Sequence, residues 1–365
     1  MKLTQISCKN FRNIIDETIF PSESVNFICG NNAQGKTNLI EAIWLFTGEK
    51  SFRGSKDLEL INFNNQNEIT SLYVKYESFE RENDSSILFQ NGKRKIKING
   101  VDKKGTSALI GKFCAVIFSP EHLSLVKGSP ILRRSFIDNA ICQIKPLYSK
   151  TLYQYDHTLF QRNSLLKDIL KHPELRDTID IWDERLAFYG SKIVEQRLLY
   201  IEKLKDYAKK SYFDISNQNE IFDISYQSAV DIKKENLYEE MILKYKENVK
   251  EDILNGFTCL GPHRDDLEIT INNVSARSFA SQGQQRSAVL SLKFAEAEIL
   301  SETLGEKPVL LLDDVLSELD DKRQEYIFNN IEGFQVFITG CDIEKSSMLK
   351  NGNVFYVENG KFKKD

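Results

Sequence analysis

No C-x-x-C pair occurs among the six cysteines, Cys8, Cys29, Cys114, Cys142, Cys259 and Cys341, and the four histidines are equally dispersed. That scatter argues against a zinc cage or a disulfide framework. Most of the thiols sit among apolar residues, as reduced core side chains would. No apolar run approaches the length of a membrane span, and no apolar stretch follows a basic start as it would in a signal peptide. A cytoplasmic protein with no membrane partner is therefore expected. Internal repeats, a low-complexity tail and heptads sustained over many tens of residues are missing too, which leaves no extended coiled coil. Nor is there an excess of positive charge: 49 Lys and Arg against 53 Asp and Glu leave a net charge of −4. Nucleic-acid binding would have to come from a local basic surface rather than from an overall field.

What is present is a soluble, globular composition, 41% hydrophobic and 28% charged over 365 residues, enough for one large domain and a smaller one. Within it lies Gly30-Asn31-Asn32-Ala33-Gln34-Gly35-Lys36-Thr37, which fits the Walker A pattern G-x-x-x-x-G-K-[ST]. Ser24 to Cys29 reads as a short buried strand before it. Leu39, Ile40, Ile43 and Phe46 recur at helical spacing after it. Strand, glycine loop and helix are the context the motif requires. The loop amides and the helix start would cradle phosphate oxygens, Lys36 would reach the β/γ phosphates, and the Thr37 hydroxyl would take one position on Mg²⁺. ATP and Mg²⁺ are the expected ligands.

A second half of the site follows much later. Val309-Leu310-Leu311-Leu312 is the pattern of a buried parallel strand, and Asp313 at its tip is the Walker B carboxylate expected on Mg²⁺. Asp314 stands where a general base for the attacking water belongs. Glu is commoner there and Asp is shorter, so slow hydrolysis is expected. Ser281-Gln282-Gly283-Gln284-Gln285-Arg286 opens a helix. It is either a plain N-cap or a loop that resembles the ABC-type signature, whose Ser281, Gly283 and helix start would stabilise a γ-phosphate. In that class the loop completes the site of a second subunit, so ATP would be sandwiched in a head-to-tail pair. Ser317-Glu318-Leu319-Asp320 falls at the D-loop position, and Thr339 at the switch position where transporters carry His.

The chain order gives the organisation. Met1 to Asn13 reads as an edge-type strand. Ile87 to Gln90 and Lys93 to Ile98 flank Asn91-Gly92, a strong hairpin signal. The returning strand has one all-lysine face, Lys93, Lys95 and Lys97, which is either a solvated edge or a phosphate-facing strip. Beyond Pro130 the pattern turns helical, near Ile131–Ile144, Leu147–Leu170, Leu175–Tyr212 and Glu235–Val249, with a strand at Ile221–Tyr226. Strand character returns at Leu267–Ile271. The expected fold class is α/β: an ABC-type P-loop ATPase head split in sequence (1–128 and 255–365), with an inserted, mostly helical second domain (129–254).

These pieces, with Lys9-Asn10-Phe11-Arg12-Asn13, Ser51-Phe52-Arg53, Phe118-Ser119-Pro120-Glu121 and Gly261-Pro262-His263-Arg264-Asp265-Asp266, resemble the RecF family of bacterial DNA replication and repair proteins. The likeness runs from the N-terminus to Thr339. It implies an SMC/Rad50-like head without the long coiled coil, which dimerises on ATP, binds DNA and hydrolyses ATP slowly to release it. It also implies work in gap repair and the SOS damage response with RecR and RecO-type mediator proteins, on duplex, gapped or junction DNA. On the family pattern Arg12 and Asn13 contact the nucleotide. His122 departs from the usual acidic residue and Ile40 from a usual leucine; neither touches the phosphate chemistry. Lys93, Lys95, Lys97, Lys103, Lys104, Arg133 and Arg134 are candidate DNA contacts, each of which a solvated surface charge would equally explain. A transporter ATPase or a structural SMC-type protein is the rival reading. The former should couple to membrane helices and the latter needs long heptads.

Overall fold

The computed structural model describes residues 1–65, 69–90, 92–341 and 352–365. They fall into two compact units, one of residues 1–123, 207–220 and 281–365, the other of 124–206 and 221–280.

The first unit has two six-stranded sheets. One is antiparallel, in the order Ile14–Ile19, Lys2–Phe11, Thr70–Ser78, Arg81–Gln90, Lys93–Ile98, Val101–Lys103. Lys2–Phe11 pairs on both sides, with Ile14–Ile19 and Thr70–Ser78, and so is not the edge its sequence suggested. Gln90 pairs with Lys93 across a two-residue connection in which Gly92 has φ 68°. Asn91, the other half of the expected turn, lies outside the described residues. The second sheet runs Lys361–Lys364, Gly352–Glu358, Val25–Cys29, Val336–Gly340, Val309–Leu312, Ala115–Phe118, parallel except for the terminal hairpin. Strands parallel on both sides need both faces covered, and Val309 to Leu312 are all 0% exposed. One apolar core joins Leu3, Ile6 and Val74 of the first sheet with Ile28, Leu311 and Phe337 of the second. Leu39, Ile40, Ile43 and Phe46 of the helical segment after the glycine loop belong to it as well. That shared core fixes the loop between rigid elements.

The second unit holds the helices Pro130–Ile144, Pro146–Ile169 and Leu237–Asn255, and the part of Ile179–Ile215 up to residue 206. A three-stranded antiparallel sheet completes it: Val274–Ser275, Asp266–Ile271, Phe222–Gln227. Its extent differs from the expected 129–254. Residues 124–128 and 255–280 belong to it and 207–220 do not; the strand Asp266–Ile271, expected in the head, pairs here with Phe222–Gln227. Buried arginines hold this unit together. Arg162 bonds Asp183 and Asp252 at 2.7 Å each, and Arg197 bonds Asp138 through two nitrogens and the Pro262 carbonyl at 2.6 Å.

The Gly261–Asp266 segment is bound into the same network. Gly261 has φ 123°, and a Cβ there would lie 2.6 Å from the Tyr155 hydroxyl, so only glycine fits. His263 Nε2 lies 3.1 Å from the Thr258 carbonyl, which can only accept. Nε2 therefore carries the proton, and Nδ1 accepts from the Tyr155 hydroxyl at 2.7 Å. Burial, then the nearby Arg264, Arg134 and Arg162 charges, push the His263 pKa down to about 4 from 6.5. A depressed folded pKa means that only the unfolded chain takes up the proton between those values. The stabilisation is whole above pH 6.5 and lost as pH falls towards 4, to a limit of about 3 kcal/mol. Urea midpoints at pH 7 and 4.5 should therefore fall further apart for the native chain than for His263→Gln. Equal differences would contradict this.

Candidate functional site

Val25–Cys29 feeds the glycine loop and Lys36–Trp44 leaves it. Gly35 caps the helix with φ 116° and has no side chain to bond the first helical amides, which leaves them for an anion. A Cβ on Gly30 would stand 2.5 Å from the Val357 carbonyl, which explains the small residue there. The Lys36 side chain is buried, with Nζ donating to Gly30 O at 2.6 Å and Asn31 O at 3.3 Å. It also lies 3.2 Å from Cys341 Sγ. Its ammonium is thereby folded back over the mouth of its own loop.

Asp313 sits at the tip of Val309–Leu312, 4% exposed. Its Oδ1 accepts from Thr37 Oγ1 at 2.9 Å and from Thr339 Oγ1 at 2.8 Å. Burial pushes its carboxyl up to about 6, partly offset by those two hydroxyls, while the Asp314 and Glu121 charges push it further up. Among the described residues no three His, Cys, Asp or Glu side chains converge on a cation cage. One carboxylate beside one hydroxyl is instead the donor set that suits Mg²⁺, which keeps waters and phosphate oxygens for its other positions. Asp314 follows in a left-handed conformation, φ 53°, one that Asp tolerates better than most residues. Its amide donates to Thr339 Oγ1 at 2.8 Å. Thr339 thus ties both acidic residues to the adjacent strand.

Asn13 lies under the loop, donating to Gln34 O at 2.9 Å and accepting from Asn38 at 2.8 Å. Arg12 is committed within the chain. Nε and Nη2 bond the Glu41 carboxylate at 2.9 Å each, Nη2 also reaches Ser55 Oγ at 2.6 Å, and Nη1 reaches Glu59 O at 2.8 Å. Both residues line an open cavity of about 670 Å³ beside the loop, with Ala33, Asn38, Arg53 and Phe63. Asn31 and Asn32 are exposed on the loop, while Gln34 is half-buried and its Oε1 accepts from Asn359 N at 2.6 Å.

Ser281 is the N-cap of Gln282–Leu304 and forms a reciprocal pair with Gln284. Its Oγ accepts from Gln284 N at 3.2 Å, and its amide donates to Gln284 Oε1 at 2.9 Å. Gln284 Nε2 reaches Glu220 at 2.6 Å. Gly283 accepts from Arg323 at 3.0 Å. Sequence reasoning missed Arg323 and Glu220, whose types and spacings carry no motif.

Lys93, Lys95 and Lys97 are exposed along one strand face, and Lys103 and Lys104 are exposed too. Arg133, expected as a DNA contact, is not free to be one. It is 3% exposed, bonded to Asp266 at 2.6 and 2.8 Å and to the Leu125 and Gly128 carbonyls. Arg134 donates to Asp265 O at 2.7 Å. No helix among the described residues is long and apolar enough to cross a membrane.

Comparison with known proteins bears on this arrangement. Residues 2–362 match the family described as RecF/RecN/SMC N terminal domain. The DNA replication and repair protein RecF of Clostridium botulinum (strain Loch Maree / Type A3) is 41% identical over 368 residues, covering 100% of both chains. That of Clostridium acetobutylicum is 42% identical over 365 residues, 99% of each. The solved structure of the recombination mediator protein RecF with ATP, of the RecFOR pathway, superposes with TM-score 0.93 at 40% identity, covering 100% of this chain and 97% of that one. An Smc head domain from Pyrococcus furiosus gives 0.58 at 15% identity, which speaks to the fold alone. The fold is that of an ABC-type ATPase head with a helical insertion.

Proposed function

Since this chain belongs to the RecF family of DNA replication and repair proteins, we propose that it is an ATP-dependent DNA-binding protein whose two copies pair on ATP. In this reading it engages duplex, gapped or junction DNA, hydrolyses ATP slowly and assists recombinase loading with RecR and RecO-type mediators, in gap repair and the SOS response. The observation that carries it is the hydrogen-bonded junction of Thr37, Asp313 and Thr339, from three separate elements, beside a glycine loop with free amides.

The loop amides and Lys36 bind and orient the triphosphate. Mg²⁺, when bound, supplies charge neutralisation of the phosphate oxygens from a position held by Thr37 and Asp313. Asp314 accepts the proton of the attacking water. A hydrogen bond from its backbone N–H to Thr339 Oγ1 fixes its main chain, and its short reach keeps turnover at or below a few per second, on the order of 1 s⁻¹. Ser281 and Gly283 act on the terminal phosphoryl group bound by the other copy. For that, Ser281 Oγ donates its hydroxyl proton to a phosphate oxygen, a role that its acceptance from the Gln284 amide leaves open.

DNA retention with ATP, measured against salt, tests the function. Retention should fall steeply with salt and vanish without ATP. Substituting Lys93, Lys95 and Lys97 by Glu should lower the log–log salt slope by about 0.9 for each phosphate that is no longer neutralised. Retention that ignores both ATP and salt would contradict the reading.

A further inference from the structure

We propose that Arg323 is a positioning residue for the composite ATP site: it locks the signature loop and the D-loop of one chain into a single unit, in the pose that closes the site of a second copy. The proposal rests on the paired-head reading above. Arg323 lies in the helix Asp321–Asn330, directly after the Ser317–Asp320 segment. Its guanidinium makes three kinds of bond at once. Nε donates to Ser287 Oγ at 2.9 Å, Nη2 donates to Gly283 O at 3.0 Å, and Nη1 pairs with the Asp320 carboxylate. Gly283 and Ser287 are four residues apart and so lie on one face of the signature helix. Asp320 is the N-cap of the next helix and accepts from Arg323 N at 3.0 Å.

A planar fork with donors in fixed directions, anchored at three acceptors, sets orientation as well as distance. The glycine keeps the approach close: a Cβ at Gly283 would stand 3.2 Å from Nη2, a contact relieved only by a shift of a few tenths of an ångström. On its other side the loop is held by Gln284 bonded to Glu220, whose second oxygen accepts from Tyr212 at 2.7 Å. The partners of Arg323 include neither Lys36 nor Thr37 nor Asp313. Its influence therefore falls on what this chain offers a second copy and not on its own grip on nucleotide. An unclamped loop would have to be ordered during pairing, a cost that weakens association.

Arg323→Ala should bind a fluorescent ATP analogue within twofold of the native chain, yet need at least tenfold more protein for ATP-driven pairing. Arg323→Lys should fall between, since an ammonium keeps the Asp320 charge pair but cannot hold both helix acceptors. The deciding experiment is complementation of hydrolysis in mixtures. Arg323→Ala chains mixed with Lys36→Ala chains form pairs in which one site has an intact glycine loop from the first and an intact clamp from the second. Activity should rise several-fold above the sum of the separate chains, which also shows that the Arg323→Ala chain is folded. A parallel mixture of Ser281→Arg with Lys36→Ala is the reference. Recovery in both supports the clamp. Recovery in the reference alone overturns the clamp and leaves the shared site standing, whereas recovery in neither overturns the shared site. An Arg323→Ala chain that pairs and hydrolyses like the native one overturns the clamp outright.

Discussion

Lys36→Ala is expected to weaken ATP binding by about a hundredfold or more while leaving the fold intact. The Lys36 ammonium is 4% exposed as a residue and tethered to the Gly30 and Asn31 carbonyls, so it is already desolvated and aimed across the loop. Hydrogen bonds to charged groups contribute about 1.5–3 kcal/mol each, and two to the phosphates correspond to about 3–6 kcal/mol, at about 1.4 kcal/mol per tenfold. The variant loses those bonds and leaves two loop carbonyls that water can reach. Lys36→Arg should not rescue it, since a planar fork cannot take the place of a compact ammonium between two carbonyls. Titration with a fluorescent ATP analogue checks this, and affinity within about fivefold of the native chain would contradict it.

Arg162→Met carries the largest expected effect on stability. Arg162 is 0% exposed, bonds Asp183, Asp252 and Thr258 within 2.8 Å, and lies 5.5 Å from the centre of the Tyr245 ring. The Asp183 and Asp252 side chains are 1% and 0% exposed. Removing the cation leaves two buried carboxylates uncompensated, at a cost of about 3–5 kcal/mol. Adding Asp183→Asn and Asp252→Asn to the same chain should recover part of that loss, because the isolated charges and not the lost volume are the main penalty. Unfolding in urea measures both. A single-variant loss below about 1 kcal/mol would show that water reaches these carboxylates.

Local mechanics made the nucleotide loop and the Asp313 strand legible in sequence. A glycine loop between strand and helix, and four apolar residues ending in Asp, state their own geometry. Partnership was not legible. Alternation in Lys2–Phe11 marks a half-buried strand but not whether one neighbour or two lie beside it, and two were found. Leu267–Ile271 has the same look in either unit, and only its pairing with Phe222–Gln227 assigns it. Arg133 and Arg134 form a basic pair in sequence, yet the Asp266 that neutralises Arg133 lies 133 residues away. Arg323 looks like any charge on a surface helix until its bonds to Gly283 and Ser287 are seen. Thr339 could be placed by order of motifs, but its double role between Asp313 and Asp314 depends on strand register.

The shared pocket is tested most directly by the mass of the protein in solution with and without a non-hydrolysable ATP analogue. A single copy without nucleotide and a pair with it, the pair lost in Ser281→Arg although that variant still binds nucleotide, is the expected result. A single copy throughout, or a pair that forms in Ser281→Arg as readily as in the native chain, would contradict it.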